Sequence, residues 1–181
     1  MVILGIDPGT AKVGYGVIRK IQNPPNRTKF GTPRRVASKT QYGLKCLSYG
    51  LIQTSSSSPP AERLKKISQE LGQLINKYRP EILAVENVYF FRNLKTALPV
   101  SQAKGVILLA AANHNIPVYE FTPSQVKMAV VGYGRAEKRQ VQEMVKILLN
   151  LKELPRSDDA ADALAIAICY TISPQEQYLA K

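Results

Sequence analysis

Four carboxylates in this chain stand in apolar surroundings, where an ionised side chain is costly unless it is paired or bound to a cation. Asp7 ends the run Val2-Ile3-Leu4-Gly5-Ile6, and Glu86 ends the run Ile82-Leu83-Ala84-Val85. Asp162 is surrounded by Ala160, Ala161, Ala163 and Leu164, and Asp159 precedes it by three residues. On a helix that spacing places the two acids on neighbouring positions of one face. Asp158 shares the Asp162 face as well, so spacing alone does not choose between the doubled acids. Taken singly, Asp7 is equally a turn former before Pro8-Gly9, and Ser157 or Asp158 is equally a helix cap. Taken together, the four would repel one another, and divalent metal is the simplest remedy. Cys46 and Cys169 have no metal-ligand spacing, and His114 lies in Asn113-His114-Asn115 at a helix end. A metal site must therefore be built from carboxylates, which suit hard cations such as Mg²⁺ or Mn²⁺. Two such ions about 4 Å apart would activate water and stabilise the leaving oxygen of a phosphodiester.

The elements that must position these acids are legible in order. Val2 to Asp7 is a buried strand; Pro8 cannot join a sheet ladder, so the chain leaves the sheet there. Val13 to Arg19 forms a hairpin with it, and Leu47 to Thr54 is a third strand. Ala61 to Tyr78 repeats Leu64, Ile67, Leu71 and Leu74 at helical spacing. Ile82 to Val85 is a short buried strand, Thr96 to Asn113 an Ala- and Gly-rich helix, and Pro117 to Phe121 a fifth strand. Pro123 opens a short helix carrying Lys127. Val131 to Arg135 is a glycine-hinged loop, Ala136 to Leu149 an amphipathic helix, and a last helix starts at Ser157-Asp158-Asp159. The expected fold class is α/β: a mixed five-stranded sheet, three antiparallel strands then parallel strands, flanked by helices. Parallel neighbours would bring Asp7 and Glu86 together at their C-terminal ends, where open α/β sheets hold their sites.

The chain has 181 residues, which suits one domain, and a formal net charge of +12. Such an excess favours a polyanionic partner, with nucleic acid ahead of a membrane surface or an acidic protein. No apolar run is long enough to span a bilayer, and the first residues lack the pattern of a signal peptide. Residues 21–46 form a Pro- and Arg-rich segment with few large apolar side chains, expected to be a long insertion between strands. No acidic residue occurs between Asp7 and Glu62, while nine Lys and Arg do. Arg34 and Arg35 are therefore candidate phosphate contacts, with a solvated loop as the alternative. A basic chain around clustered carboxylates points to a nuclease.

Seven pieces in order carry a more specific signal: Gly5-Ile6-Asp7-Pro8-Gly9-Thr10, Gly14-Tyr15-Gly16-Val17-Ile18, Glu86-Asn87-Val88-Tyr89, Gln102-Ala103-Lys104-Gly105, Val126-Lys127, Val130-Val131-Gly132-Tyr133-Gly134 and Asp159-Ala160-Ala161-Asp162-Ala163-Leu164-Ala165. Together they closely resemble the RuvC family of Holliday junction resolvases. The resemblance omits only about residues 21–45 and the last few. It implies an RNase H-like fold, so the chain is expected to be a single nuclease domain over 1–181, to which the basic insertion at about 21–46 and a short C-terminal tail are added. It implies a cytoplasmic homodimer that makes paired, symmetric cuts in four-way DNA junctions during homologous recombination and repair. A branch-migration complex of RuvA and RuvB proteins is the implied partner. Matched to the family's motifs, Asp7, Glu86, Asp159 and Asp162 are the catalytic carboxylates, holding Mg²⁺ (or Mn²⁺), two ions per site. Lys127 and Lys138 match basic residues near the DNA, and Tyr89 matches an aromatic position, commonly Phe, near the junction centre. The insertion and the doubled Asp158-Asp159 depart from the pattern. Two rivals belong to other classes. A non-catalytic junction scaffold would have no use for clustered negative charge, and an actin-like nucleotide-binding enzyme needs a longer chain.

Overall fold

A computed structural model describes residues 1–21, 43–87 and 94–173. Among the described residues, five strands form one sheet in the order β3-β2-β1-β4-β5. These are β1 (Val2–Asp7), β2 (Lys12–Lys20), β3 (Leu44–Gln53), β4 (Ile82–Glu86) and β5 (Val118–Phe121). The first three pair antiparallel, whereas β4 runs parallel to both β1 and β5. This is the mixed sheet that the sequence predicts. Among the described residues five helices flank it: α1 (Pro60–Tyr78), α2 (Leu94–Asn113), α3 (Pro123–Val131), α4 (Lys138–Leu149) and α5 (Asp158–Ile172).

Successive strand residues face opposite sides, and the sheet divides the core accordingly. Val2, Leu4, Ile6, Leu83 and Val85 pack with Ile67, Leu71, Ile75, Ala103 and Ile107 of α1 and α2. Ile3, Ile82 and Ala84 pack on the other side, with α3, α4 and α5. The same parity assigns Asp7 to the side of Ile3 and Gly5, and Glu86 to the side of Ile82 and Ala84. Both acids thus belong to the α5 side.

Helix α5 is buried almost all round, from Ala160 to Tyr170 apart from the partly exposed Asp162. A helix apolar on every face belongs in an interior, and this one lies between the sheet and helices α3 and α4. Its approach to the sheet is set by three glycines. A Cβ on Gly5 would strike the backbone of Ala163, one on Gly14 the backbone of Asp159, and one on Gly16 the backbone of Leu164. Gly5 and Gly16 are register partners, as are Asp7 and Gly14.

One boundary differs from expectation. Leu44, Lys45 and Cys46, assigned by composition to the 21–46 insertion, belong to β3, opposite Lys20, Arg19 and Ile18. The register shifts at Val17/Ile18, where Ser48 and Cys46 are the partners and Leu47 is the extra residue of a bulge. The Ile21 N–H donates to the Gly43 carbonyl at 2.8 Å, closing the neck of the segment between them. Residues 22–42, including Arg34 and Arg35, lie outside the described residues, as does Tyr89. Two helices start earlier than expected, α1 at Pro60 and α2 at Leu94, the latter with Pro99 inside it. The amphipathic helix starts later, at Lys138, because Glu137 takes the N-cap position and forms a capping box with Gln140. Ser157 is the N-cap of α5, in extended conformation and without a side-chain cap bond. His114 sits just past α2, with its Nδ1 2.8 Å from the Ala110 carbonyl oxygen, in the expected helix-end role.

Candidate active site

Asp7 and Glu86 stand at equivalent ends of parallel neighbours, since Ile6 and Val85 are register partners. The glycine floor lets the first turn of α5 settle over those ends, which brings in Asp159 and Asp162. All four are half-buried, whereas Asp158 is exposed. Asp7 experiences Glu86, Asp162 and Asp159, and its carboxyl is pushed up to about 8, by burial first and then by those charges. Glu86 is also raised, by burial and by Asp162, while the hydrogen bond from Asp7 opposes the shift. Both carboxyls are thus raised by burial and by repulsion within the cluster, and the hydrogen bond between them couples the two. Asp162 is raised by burial, with Lys138 pulling the other way.

Lys138 is the cation among these acids. Its Nζ lies 3.1 Å from Asp162 Oδ2 and 3.3 Å from Asp158 Oδ2. Burial disfavours its charge, but Asp162 and Asp158 outweigh burial and raise its pKa. The other matched lysine, Lys127, is half-buried on α3 and forms no salt bridge among the described residues.

Among the described residues, no three of His, Cys, Asp and Glu are drawn together tightly enough to enclose an ion as they stand. The Lys138 ammonium on Asp162 offsets part of the cluster's negative charge. The donor set is all oxygen and partly dry, and it fits a hard divalent cation. Asp159 acts on Asp7 electrostatically; Asp158 instead faces Lys138 and Gln142 of α4.

Sequence reasoning left Gly14 and Lys104 as motif letters without a task. Gly14 admits the Asp159 backbone beside Asp7. Lys104 of α2 donates to Glu120 of β5 at 2.6 Å and to Asn87 Oδ1 at 3.4 Å, just past Glu86. This ion pair is 15% and 22% exposed, well below a surface pair. Removing one partner strands a largely desolvated charge, at about 1–3 kcal/mol. Lys104→Met is therefore expected to lower the melting temperature by about 3–8 °C and to slow catalysis through a loosened β4 end. Thermal melting checks this; an unchanged melting temperature would mean that water already screens the pair.

Acids gathered at the parallel end of a mixed sheet, beneath a central helix, define an RNase H-like nuclease centre. A sequence model of the family described as "Crossover junction endodeoxyribonuclease RuvC" matches residues 23–170. The Crossover junction endodeoxyribonuclease RuvC of Alkaliphilus metalliredigens is 49% identical over 181 residues, covering 100% of this chain and 99% of that protein. That of Heliobacterium modesticaldum is 53% identical over 169 residues, 93% of each chain. The structure of Thermus thermophilus RuvC in complex with a Holliday junction substrate superposes with a TM-score of 0.82 at 34% identity, covering 99% of this chain and 98% of that one. This chain belongs to the RuvC family. It is accordingly a crossover junction endodeoxyribonuclease, a nuclease that resolves Holliday junctions and depends on divalent metal.

Proposed function

We propose that Asp7, Glu86, Asp159 and Asp162 are the catalytic carboxylates of this activity and hold two Mg²⁺ ions, with Mn²⁺ as a substitute. The observation that carries this reading is the strained charge of the cluster. A carboxyl raised to about 8, by burial first and then by the charges of Glu86, Asp162 and Asp159, is a group that a cation would relieve. Divalent ions there supply Lewis acidity at the scissile phosphate and charge at the leaving oxygen. The chain's own part is to hold the acids on rigid elements. β1 and β4 fix Asp7 and Glu86, and α5 brings Asp159 and Asp162 within electrostatic reach. The Lys138 ammonium beside Asp162 is the positive charge that metal would displace.

Lys127 and Lys138 are assigned to DNA phosphates, as are Arg34 and Arg35 of the insertion, whose extent becomes 21–43. Tyr89 is assigned to stacking on a distorted base at the junction centre. A single nuclease domain, a homodimer, the RuvA–RuvB branch-migration complex and a cytoplasmic location complete the assignment. Leu98 and Leu109 support the second copy, because they leave an apolar outer face exposed on α2. Among the described residues no helix is long and apolar enough to cross a membrane.

The test is a labelled four-way junction incubated with Mg²⁺ or with EDTA, its products resolved on a denaturing gel. Paired cuts are expected only with metal. Asp159→Asn is expected to abolish cutting, while Asp158→Asn at saturating metal retains it. Activity in Asp159→Asn, or its loss in Asp158→Asn alone, would exchange their roles.

A further inference from the structure

We propose that Asp158, braced by Gln142, is a positioning residue that keeps the Lys138 ammonium at the rim of the site when Asp162 turns to a divalent cation. The inference rests on the metal-site reading above and goes beyond it, since Asp158 has no ligand role there.

Lys138 is the first residue of α4, where the helix dipole repels a cation. A lysine in that place needs carboxylates, and it has two, in different situations. Asp162 is half-buried and belongs to the acid cluster; Asp158 is exposed, on the Lys138 side of Asp162, whose carboxyl feels its charge. The Asp158 carboxylate is held at both oxygens: Gln142 Nε2 donates to Oδ1 at 2.8 Å, and Lys138 Nζ lies 3.3 Å from Oδ2. Gln142 follows Lys138 by one helical turn, so α4 supplies both the cation and the brace for its anchor. Asp158 is also the first residue of α5, but its carboxylate reaches across to α4 and does not cap its own helix.

The consequence is a choice of partners for one ammonium. Without metal, Lys138 is shared between Asp158 and Asp162. A divalent ion bound at Asp162 repels the ammonium, and Asp158 then keeps it paired and close. Without the Asp158 charge, the ammonium depends on Asp162 alone. Metal must then displace it from its one remaining partner and leave it with none. Removing Asp158 should therefore weaken metal binding, and should do so through Lys138.

The experiment is calorimetric titration of the DNA-free full chain with MnCl₂, which reads affinity and not activity. Asp158→Asn is expected to weaken Mn²⁺ binding roughly three- to tenfold, and Asp158→Glu to restore most of it. Gln142→Ala loosens the same carboxylate without changing charge and should act in the same direction more weakly. Lys138→Met removes the competing ammonium and should tighten binding. In that background Asp158→Asn should have almost no further effect. An equal loss with and without Lys138 would overturn the proposal and mean that Asp158 acts on the metal directly, as a ligand or through its charge. Unchanged affinity in Asp158→Asn and Gln142→Ala would overturn it too. If the unsubstituted chain takes up no Mn²⁺, or if Asp7→Asn binds it as well as that chain does, the metal-site reading falls and this inference with it. Thermal melting of each variant establishes that the fold is retained.

Discussion

Asp7→Asn is expected to abolish junction incision, leave junction binding nearly intact, and stabilise the metal-free protein. The amide keeps the shape of the side chain but is a poor ligand for a hard cation, so the metal-dependent step is lost. Binding rests mainly on phosphate contacts elsewhere and should change little. The stabilisation follows from linkage. Unfolded, the Asp7 carboxyl titrates near 3.8; folded, it is pushed up to about 8 by burial and by Glu86, Asp162 and Asp159. A raised folded pKa means that this contribution to stability is full below the unfolded value. It is lost as pH rises through the folded one. In EDTA the melting temperature of the unsubstituted chain should therefore fall between about pH 4 and about pH 8, while Asp7→Asn should be flatter and higher near pH 8. Added Mn²⁺ should reverse the order, raising the melting temperature of the unsubstituted chain and barely moving the variant. Near-normal cutting by Asp7→Asn would remove Asp7 from the ligand set. A parallel pH dependence in both proteins would show that Asp7 carries no excess charge.

How far the site could be read without a structure depended on the distance over which each residue acts. Asp7 and Glu86 announce themselves locally, because each interrupts an apolar run at a strand end. The strands themselves follow from the same runs. The choice between Asp158 and Asp159 was not available, since both acids are near neighbours of Asp162 on a helix. In the structure both act on Asp162, but Asp159 alone of the two also acts on Asp7, whereas Asp158 has partners on α4. The resemblance placed Lys138 near DNA, but its ion pair with Asp162 depends on how α4 meets α5, which no spacing encodes. Leu44 to Cys46 were hidden in a basic, proline-rich stretch. Their strand character comes from β2, whose residues pair with them across a bulge. The alternation of Gly14 and Gly16 was visible. Its meaning was not, because the helix that fills the space starts more than 140 residues later.

That packing carries the second large effect. Gly14→Ala is expected to reduce incision by about 100-fold or more, the scale on which a small misplacement of catalytic groups acts. It should also lower the melting temperature by about 3–10 °C, as overpacking costs about 1–3 kcal/mol in a close-packed core. The added methyl would collide with the Asp159 carbonyl group, which is helix backbone and cannot rotate away like a side-chain end. Either α5 lifts from the sheet or β2 retreats. Both movements separate Asp159 and Asp162 from Asp7, the register partner of Gly14. Gly72→Ala is the control for the same chemical change. Gly72 lies within α1 with nothing within 4 Å of an added Cβ, so alanine should stabilise the helix slightly and leave incision unchanged. The decisive measurement is incision at a temperature where Gly14→Ala remains fully folded, beside its Mn²⁺ affinity. Loss of both in a folded protein would show that the glycine acts by setting the spacing of the carboxylates. A folded, less stable variant that cuts at the normal rate would mean that α5 absorbs the methyl without moving its acids, and the close approach would then serve stability alone.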